Sequence, residues 1–135
     1  MPEYLVLKAD IKIPNGPSMT LNRTLELDAY DKIDILVPTG QAGENKLIEL
    51  QQSEETKIKF LLIKSDFYGK ELSYKVNKES TTFVLDEPLV LTGKGAISLF
   101  GAVPKKLYFT NSTSGNEAKD IRIEVLVGRN MTADA

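Results

Sequence analysis

Polar and apolar residues alternate along most of the chain with a period of two residues, whereas helical spacing is nearly absent. The first clear segment has apolar residues at the odd positions from Leu5 to Ile13 and polar residues between most of them. It ends at residues 14–17, which read Pro-Asn-Gly-Pro. Alternation of this kind is typical of a strand with one buried face, and proline and glycine favour a turn. The pattern predicts an all-β protein.

The same criterion divides the rest of the chain into short strands separated by turn-forming residues. The predicted strands cover residues 5–13, 19–27, 33–37, 46–51, 57–64, 71–77, 81–86, 88–92, 95–100, 105–111 and 119–128. Turn signals about every 8–12 residues are typical of sandwiches and barrels, so we expect an antiparallel two-sheet β-sandwich, jelly-roll-like. Its core should contain the odd positions of the first strand and the apolar residues Ile121, Ile123, Val125 and Val127 of the last one.

The chain is expected to form one domain over residues 1–129, because its length is ordinary for a single core. Residues 38–45 are rich in turn-forming residues and are predicted to be a surface loop. Residues 130–135 show no alternation and are predicted to be a frayed C-terminal tail.

An ungapped internal repeat is found when the chain is shifted by 49 positions. It aligns residues 48–77 with residues 97–125 and places Phe60 on Phe109. We expect each segment to be a three-stranded unit, with the two units related by a pseudo-twofold axis. Coincidence between two segments that alternate in the same way is the other explanation.

Several predicted strands are apolar on both phases, for example at residues 60–63 and 125–127. A sheet in a two-layer sandwich has one face toward water, so some other surface has to cover the second face. The second face could be covered by another copy of the chain. It could also be covered within the chain, by residues 38–45 or by the C-terminal tail.

The phase of Ile58 assigns Phe60 and Leu62 to the inner face, which predicts that Leu61 and Ile63 point outward. We therefore expect an interface at Leu61 and Ile63, since neighbouring exposed apolar residues mark contact surfaces. Tyr4 and Val6, on the outward phase of the first strand, are candidates for the same kind of interface.

The composition excludes many chemistries, because the chain contains neither cysteine nor histidine. Disulfides, thiolate nucleophiles and the commonest metal ligands are therefore excluded. Residues 28–34 contain three aspartates, but they lack the spacing of a calcium loop. We predict a protein that is not an enzyme and that holds no metal or cofactor.

The charge distribution bears on the class of partner, with 17 basic and 19 acidic residues and a formal net charge of −2. Both signs are interspersed, and no basic stripe suited to nucleic acid is present. No apolar run approaches the roughly 20 residues of a spanning helix, and residues 1–4 do not resemble a signal peptide. We expect synthesis in the cytoplasm, no membrane or nucleic-acid partner, and contacts with proteins, including other copies of this chain.

Two functions of different classes are compatible with these observations. The first is a structural or assembly subunit, for instance of a virion, a tail or another large particle, by analogy at the level of fold. The second is a non-catalytic module for a ligand such as a carbohydrate. Its contacts would be Tyr30, Phe67 and Tyr68, which fall in predicted turns, together with residues 40–45.

Overall fold

The computed structural model describes residues 3–39, 46–50, 57–77, 81–101 and 104–130. All of the strand pairs are antiparallel, and most of these residues lie in strands, which confirms the predicted all-β class. The strands are β1 (Glu3–Lys12), β2 (Ser18–Leu27), β3 (Ala29–Val37), β4 (Lys46–Glu49), β5 (Lys57–Ser65), β6 (Leu72–Val76), β7 (Phe83–Val84), β8 (Leu89–Thr92), β9 (Lys106–Asn111) and β10 (Ile121–Asn130). The helical segments are α1 (Lys94–Ile97) and the 3₁₀ turns Ser98–Phe100 and Gly115–Glu117.

The described strands form three sheets. Two have four strands each, in the orders β3-β10-β5-β8 and β4-β9-β6-β7, and the third is the β1-β2 hairpin. Buried side chains of both four-stranded sheets contribute to one hydrophobic core. On β10 the core residues are Ile121, Ile123, Val125 and Val127, all at 0% exposure, so their predicted orientation is confirmed.

Aromatic rings fill the part of the core beside β6. The ring of Tyr74 stacks on Phe83 with centroids 5.4 Å apart, and it lies 5.7 Å from Phe109 and 6.4 Å from Phe100. Tyr74 is 4% exposed, and this burial raises the pKa of its phenol to about 12. The phenol is therefore held in its neutral form at ordinary pH.

Polar side chains connect the two four-stranded sheets at opposite ends of β10. Near its start, the Asn111 amide of β9 donates hydrogen bonds to the carbonyls of Val37 (3.0 Å) and Lys119 (2.7 Å). Near its end, Arg129 Nη1 donates to the carbonyl of Leu50 (2.7 Å), which follows β4, and Nη2 pairs with Asp31. Buried polar groups that are satisfied in this way hold strands of the two sheets together.

The predicted outward orientation of Leu61 and Ile63 is wrong. Both are 0% exposed and belong to the core, whereas Leu62 lies on the opposite face and is half-buried. The reason is a bulge in β5: Gly128 pairs with Phe60 and Arg129 with Ile58, so Lys59 is an extra residue. A bulge shifts the alternation by one position, and the phase of Ile58 therefore does not extend to Phe60.

The predicted equivalence of residues 48–77 and 97–125 is also wrong. The first segment contains β5, β6 and half of β4, but the described part of the second contains only β9, the first half of β10 and short helical turns. Phe60 lies outside the core cluster, whereas Phe109 is part of it. The strand predicted at residues 95–100 is replaced by α1 and a 3₁₀ turn, which are too short to show a helical period.

The odd positions of the first strand do not reach the core. Leu5, Leu7 and Ala9 are half-buried, Ile11 and Ile13 are exposed, and β1 pairs only with β2 within the described sheets. The turn predicted at residues 14–17 is confirmed, and Asn15 there has a left-handed φ of 62°. Asn130, predicted to begin the frayed tail, is the last residue of β10, while residues 131–135 and the loop residues 40–45 lie outside the described ranges.

Candidate functional site

The β1-β2 hairpin, hereafter the arm, has one apolar face. Its register pairs Leu5 with Leu25, Ala9 with Leu21 and Ile11 with Met19, and paired residues share a face. With the Leu7–Arg23 pair, these pairs define the arm face, which consists of Leu5, Leu7, Ala9, Ile11, Met19, Leu21, Arg23 and Leu25. The pairing of Leu7 with Arg23 is regular, so the arginine marks no bulge but lies among apolar neighbours.

The arm face is open to solvent along its outer half. Every residue from 11 to 24 is exposed, including Met19 at 70%, Ile11 at 56% and Leu21 at 43%. Single exposed apolar residues are common on proteins, but these are neighbours on one face of a narrow hairpin. A contiguous apolar surface of this kind is a feature of contact sites.

The arm is attached to the rest of the protein at its base. Leu27, the last residue of β2, is 1% exposed and lies against Gly128 of β10. The backbone N–H of Asp28 donates to the carbonyl of Arg129 (3.1 Å). A small depression of 170 Å³ beside this junction is lined by Glu3, Tyr4, Leu5, Leu27, Tyr30 and Leu126.

The junction lies on the face of the β3-β10-β5-β8 sheet that is turned away from the core, hereafter the outer face. Directly paired residues form a row across all four strands, and the row consists of Lys32, Leu126, Leu62 and Val90. Val90 is 44% exposed, and Leu62 and Leu126 are half-buried. A depression of 330 Å³ on this face is lined by Lys32, Leu62, Lys64, Glu124, Val125 and Leu126.

Charged side chains border the apolar row on one side. Lys32 Nζ lies 3.2 Å from Glu124 and 3.5 Å from Asp34, and Lys64 Nζ lies 3.8 Å from Glu124. The hydrogen bond to Glu124, with the nearby charge of Asp34, raises the pKa of Lys32 above its ordinary value. These groups are exposed, so the pairs contribute little to stability. They resemble the polar rim that surrounds the apolar centre of a protein contact.

The structure does not bring the three candidate ligand-binding aromatics together. Tyr30 is 54% exposed and lies in β3 opposite Gly128, not in a turn. Phe67 and Tyr68 follow Ser65, which pairs with Ile123 toward the other end of β10.

The two loop aromatics are occupied by contacts within the chain. Both pack against the core, and the Tyr68 hydroxyl accepts a hydrogen bond from the backbone N–H of Ser65 (2.9 Å). The ammonium of Lys119 lies 5.7 Å from the ring centre of Phe67. The two rings are therefore packed within the chain, against the core. No observation on the described residues favours a carbohydrate site.

Tyr4 and Val6 are exposed at 64% and 59%, in agreement with the outward phase predicted for them. They lie on the opposite side of the arm from the arm face, and their role in an interface stays a prediction. Leu61 and Ile63 are in the core and cannot offer a surface to a partner.

Sequence reasoning missed Leu62, Leu126 and Gly128 as the residues of the outer face. One signal for them was present, because residues 125–128 read Val-Leu-Val-Gly. A glycine inside an apolar strand often marks the close approach of another part of the chain. Here that part is the base of the arm.

The described residues contain no cluster of three or more acidic side chains placed to hold a metal ion. They also contain no helix long and apolar enough to cross a membrane. Comparison of the chain with protein-family models, with curated proteins and with solved structures found no match.

Proposed function

We propose that this protein is a non-catalytic structural subunit that assembles through protein–protein contacts, and that the arm makes the principal contact. The observation that carries the proposal is the exposure of the arm face, where residues 11–24 are all exposed and Met19 reaches 70%. We also propose that the two four-stranded sheets form a jelly-roll-like sandwich, from which the arm projects.

The physical argument is that the arm gains from being covered. A two-stranded hairpin is only marginally stable in water, because each of its faces lacks a second layer to pack against. Burying one large apolar side chain against a partner contributes about 1.5–3 kcal/mol before the entropy of association is subtracted. Several such side chains on one face, for example Ile11, Met19 and Leu21, are sufficient to anchor an interface.

The absence of catalysis is part of the proposal. With no histidine and no cysteine in the sequence, the usual general base and thiolate nucleophile are missing. The balanced charge, −2 overall, favours a protein partner over nucleic acid. A place in a larger particle is the form of assembly that the fold-level analogy suggests.

The proposal is tested by the mass of the protein in solution, measured by light scattering coupled to size exclusion over a range of concentrations. We expect a mass above that of one 15.0 kDa chain. Met19→Lys, which places a charge on the arm face, should lower the mass toward one chain. Thr20→Lys adds the same charge at the next residue, on the opposite face, and should not.

Two results would contradict the proposal. One is a wild-type protein that stays monomeric at every concentration. The other is an equal effect of Met19→Lys and Thr20→Lys on the mass, since a contact through the arm face is sensitive to the side on which the charge is placed.

A further inference from the structure

We propose that the arm face of one copy packs on the outer face of a second copy, and that the two copies exchange arms reciprocally to form a closed dimer. The inference rests on the proposed function and adds both the partner and the receiving surface. The receiving surface is the apolar row of Leu126, Leu62 and Val90, with the depression beside it.

The first argument is that the outer face already receives arm residues of its own chain. Leu27 lies on Gly128, and Leu5 and Leu27 line a depression together with Leu126. Leu126 also lines the larger, neighbouring depression, which contains no arm residue of the same chain. The apolar surface that seats the base of one arm therefore continues into a surface that could seat a second arm.

The second argument is that the chain's own arm does not lie over this row. Residues 11–24 are all exposed, which excludes their packing on the outer face of the same chain. Val90, at the other end of the row, is 44% exposed. Among the described residues, nothing covers the outer half of the arm face, and the row is open to solvent at Val90. Each of these apolar surfaces has the chemistry that the other requires.

The third argument is the area of contact. Beyond its base, the arm runs for about seven residues per strand, from the Leu7–Arg23 pair to the turn at residues 13–17. This part is about 23 Å long and about 10 Å wide, so one face of it covers about 230 Å². One arm on one partner would bury about 460 Å² in total, which is less than half of the roughly 1,000 Å² of a specific interface. Reciprocal exchange makes the contact twice and buries about 920 Å², so only the reciprocal arrangement approaches the size of a specific interface.

This comparison favours a second copy over an unrelated partner. A twofold dimer repeats the same contact, whereas a different protein would cover the arm face once and leave the outer face open. Exchange by only one copy at a time would generate an open chain of subunits. The reciprocal arrangement closes after two copies.

The test joins two chains covalently through introduced cysteines, because the natural chain contains none. One chain carries Leu21→Cys on the arm face, and an isotope-labelled chain carries Leu126→Cys on the outer face. The two are mixed and treated with a short bis-maleimide, which tolerates a small uncertainty in register. Mass spectrometry then distinguishes the mixed dimer from either homodimer.

We expect the mixed dimer to be the main product, and wild-type protein in solution to have the mass of two chains. Thr20→Cys is the matched control, because it lies beside Leu21 on the opposite face of the arm. Its yield with Leu126→Cys should be several-fold lower. If Leu126→Cys lowers the folded fraction, Leu62→Cys or Val90→Cys in the same row replaces it.

Three results would overturn the inference. Crosslinking mainly between two Leu21→Cys chains would show that arms pack on one another, and equal yields from Leu21→Cys and Thr20→Cys would show that the contact is not specific. A solution mass above two chains would exclude the closed dimer. In each case the effect of Met19→Lys on the mass still decides separately whether the arm is the contact, so failure of the exchange and failure of the proposed function are distinguishable.

Discussion

The side chain of Leu27 lies on the bare backbone of Gly128, and this contact joins the arm to the outer face. A Cβ built on Gly128 would overlap Leu27 Cδ1 and would lie 3.1 Å from Cδ2. The strand tolerates the approach because glycine has no side chain. Leu27 is consequently 1% exposed although it ends a strand whose other residues are mostly exposed.

Gly128→Ala is expected to lower the free energy of unfolding by about 1–3 kcal/mol, because the added methyl group forces Leu27 out of its place. Leu27→Ala should lower the free energy of unfolding less in the Gly128→Ala variant than in the wild type. In the variant, shortening Leu27 also removes the overlap with the added methyl group. Urea denaturation followed by circular dichroism measures both. Gly95→Ala is the control, because a Cβ there meets no atom within 4 Å. Equal losses at Gly95 and Gly128 would contradict the role of the contact.

The two neighbours Leu61 and Leu62 should respond very differently to truncation. Leu61→Ala removes a fully buried core side chain and should cost about 2–5 kcal/mol of unfolding free energy. Leu62→Ala, on the half-buried outer face, should cost about 1 kcal/mol or less. Denaturation curves of the two variants are sufficient for the comparison. A larger loss at Leu62 than at Leu61 would mean that the bulge at Lys59 is misplaced.

Stability should decline in alkaline solution partly through Tyr74. Its pKa in the folded protein is about 12, above the ordinary value of 10.0, because burial disfavours the phenolate. The folded state therefore favours the neutral phenol, so the stability that it contributes is complete below pH 10 and is lost as the pH rises from 10 toward 12.

Tyr74→Phe keeps the ring contacts but removes this ionisation. The loss of unfolding free energy between about pH 10 and pH 12 should then be smaller than in the wild type by about 2 kcal/mol. Denaturation at several alkaline pH values measures the difference, and phenolate absorbance follows the ionisation directly. Identical pH dependence in the two proteins would contradict the assignment to Tyr74.

The arm should be dispensable for the fold of the two four-stranded sheets. Leu7 pairs with Arg23, so residues 8–22 can be replaced by Asn-Gly, which forms a two-residue hairpin turn between this pair. Because residues 11–24 are exposed, we expect the strand spectrum to persist. At a dilution where the wild type is monomeric, the free energy of unfolding should differ by no more than about 0.5 kcal/mol. Loss of cooperative unfolding in the shortened chain would show that the arm supports the core.

The period-two pattern predicted the arm itself almost to the residue. It placed a strand, a turn at residues 14–17 and a second strand, and the structure has β1, a turn and β2 in these positions. The pattern indicates that one face of a strand is apolar, but it does not indicate what covers that face. Assigning Leu5 to Ile13 to the core was therefore an assumption that local alternation could not test.

The predicted orientation of the β5 side chains is wrong for a different physical reason. Alternation extrapolates from one residue to the next only while the strand is regular, and the extra residue Lys59 interrupts it. The sequence does not signal this bulge, because neither Lys59 nor its neighbours Ile58 and Phe60 is a proline or a glycine. Alternation extended from Ile58 therefore assigns Leu62 to the inner face and Leu61 to the outer face, which is the reverse of the structure.

The last strand of the chain occupies the middle of its sheet. β10 lies between β3 and β5, and Val37 pairs with Ile121 across most of the sequence. During synthesis, both flanking strands leave the ribosome long before the strand that joins them, and such long-range pairing is slow. A polypeptide that stops before residue 121 would hold two apolar strands with no common partner, so premature termination should yield aggregates rather than a smaller folded protein.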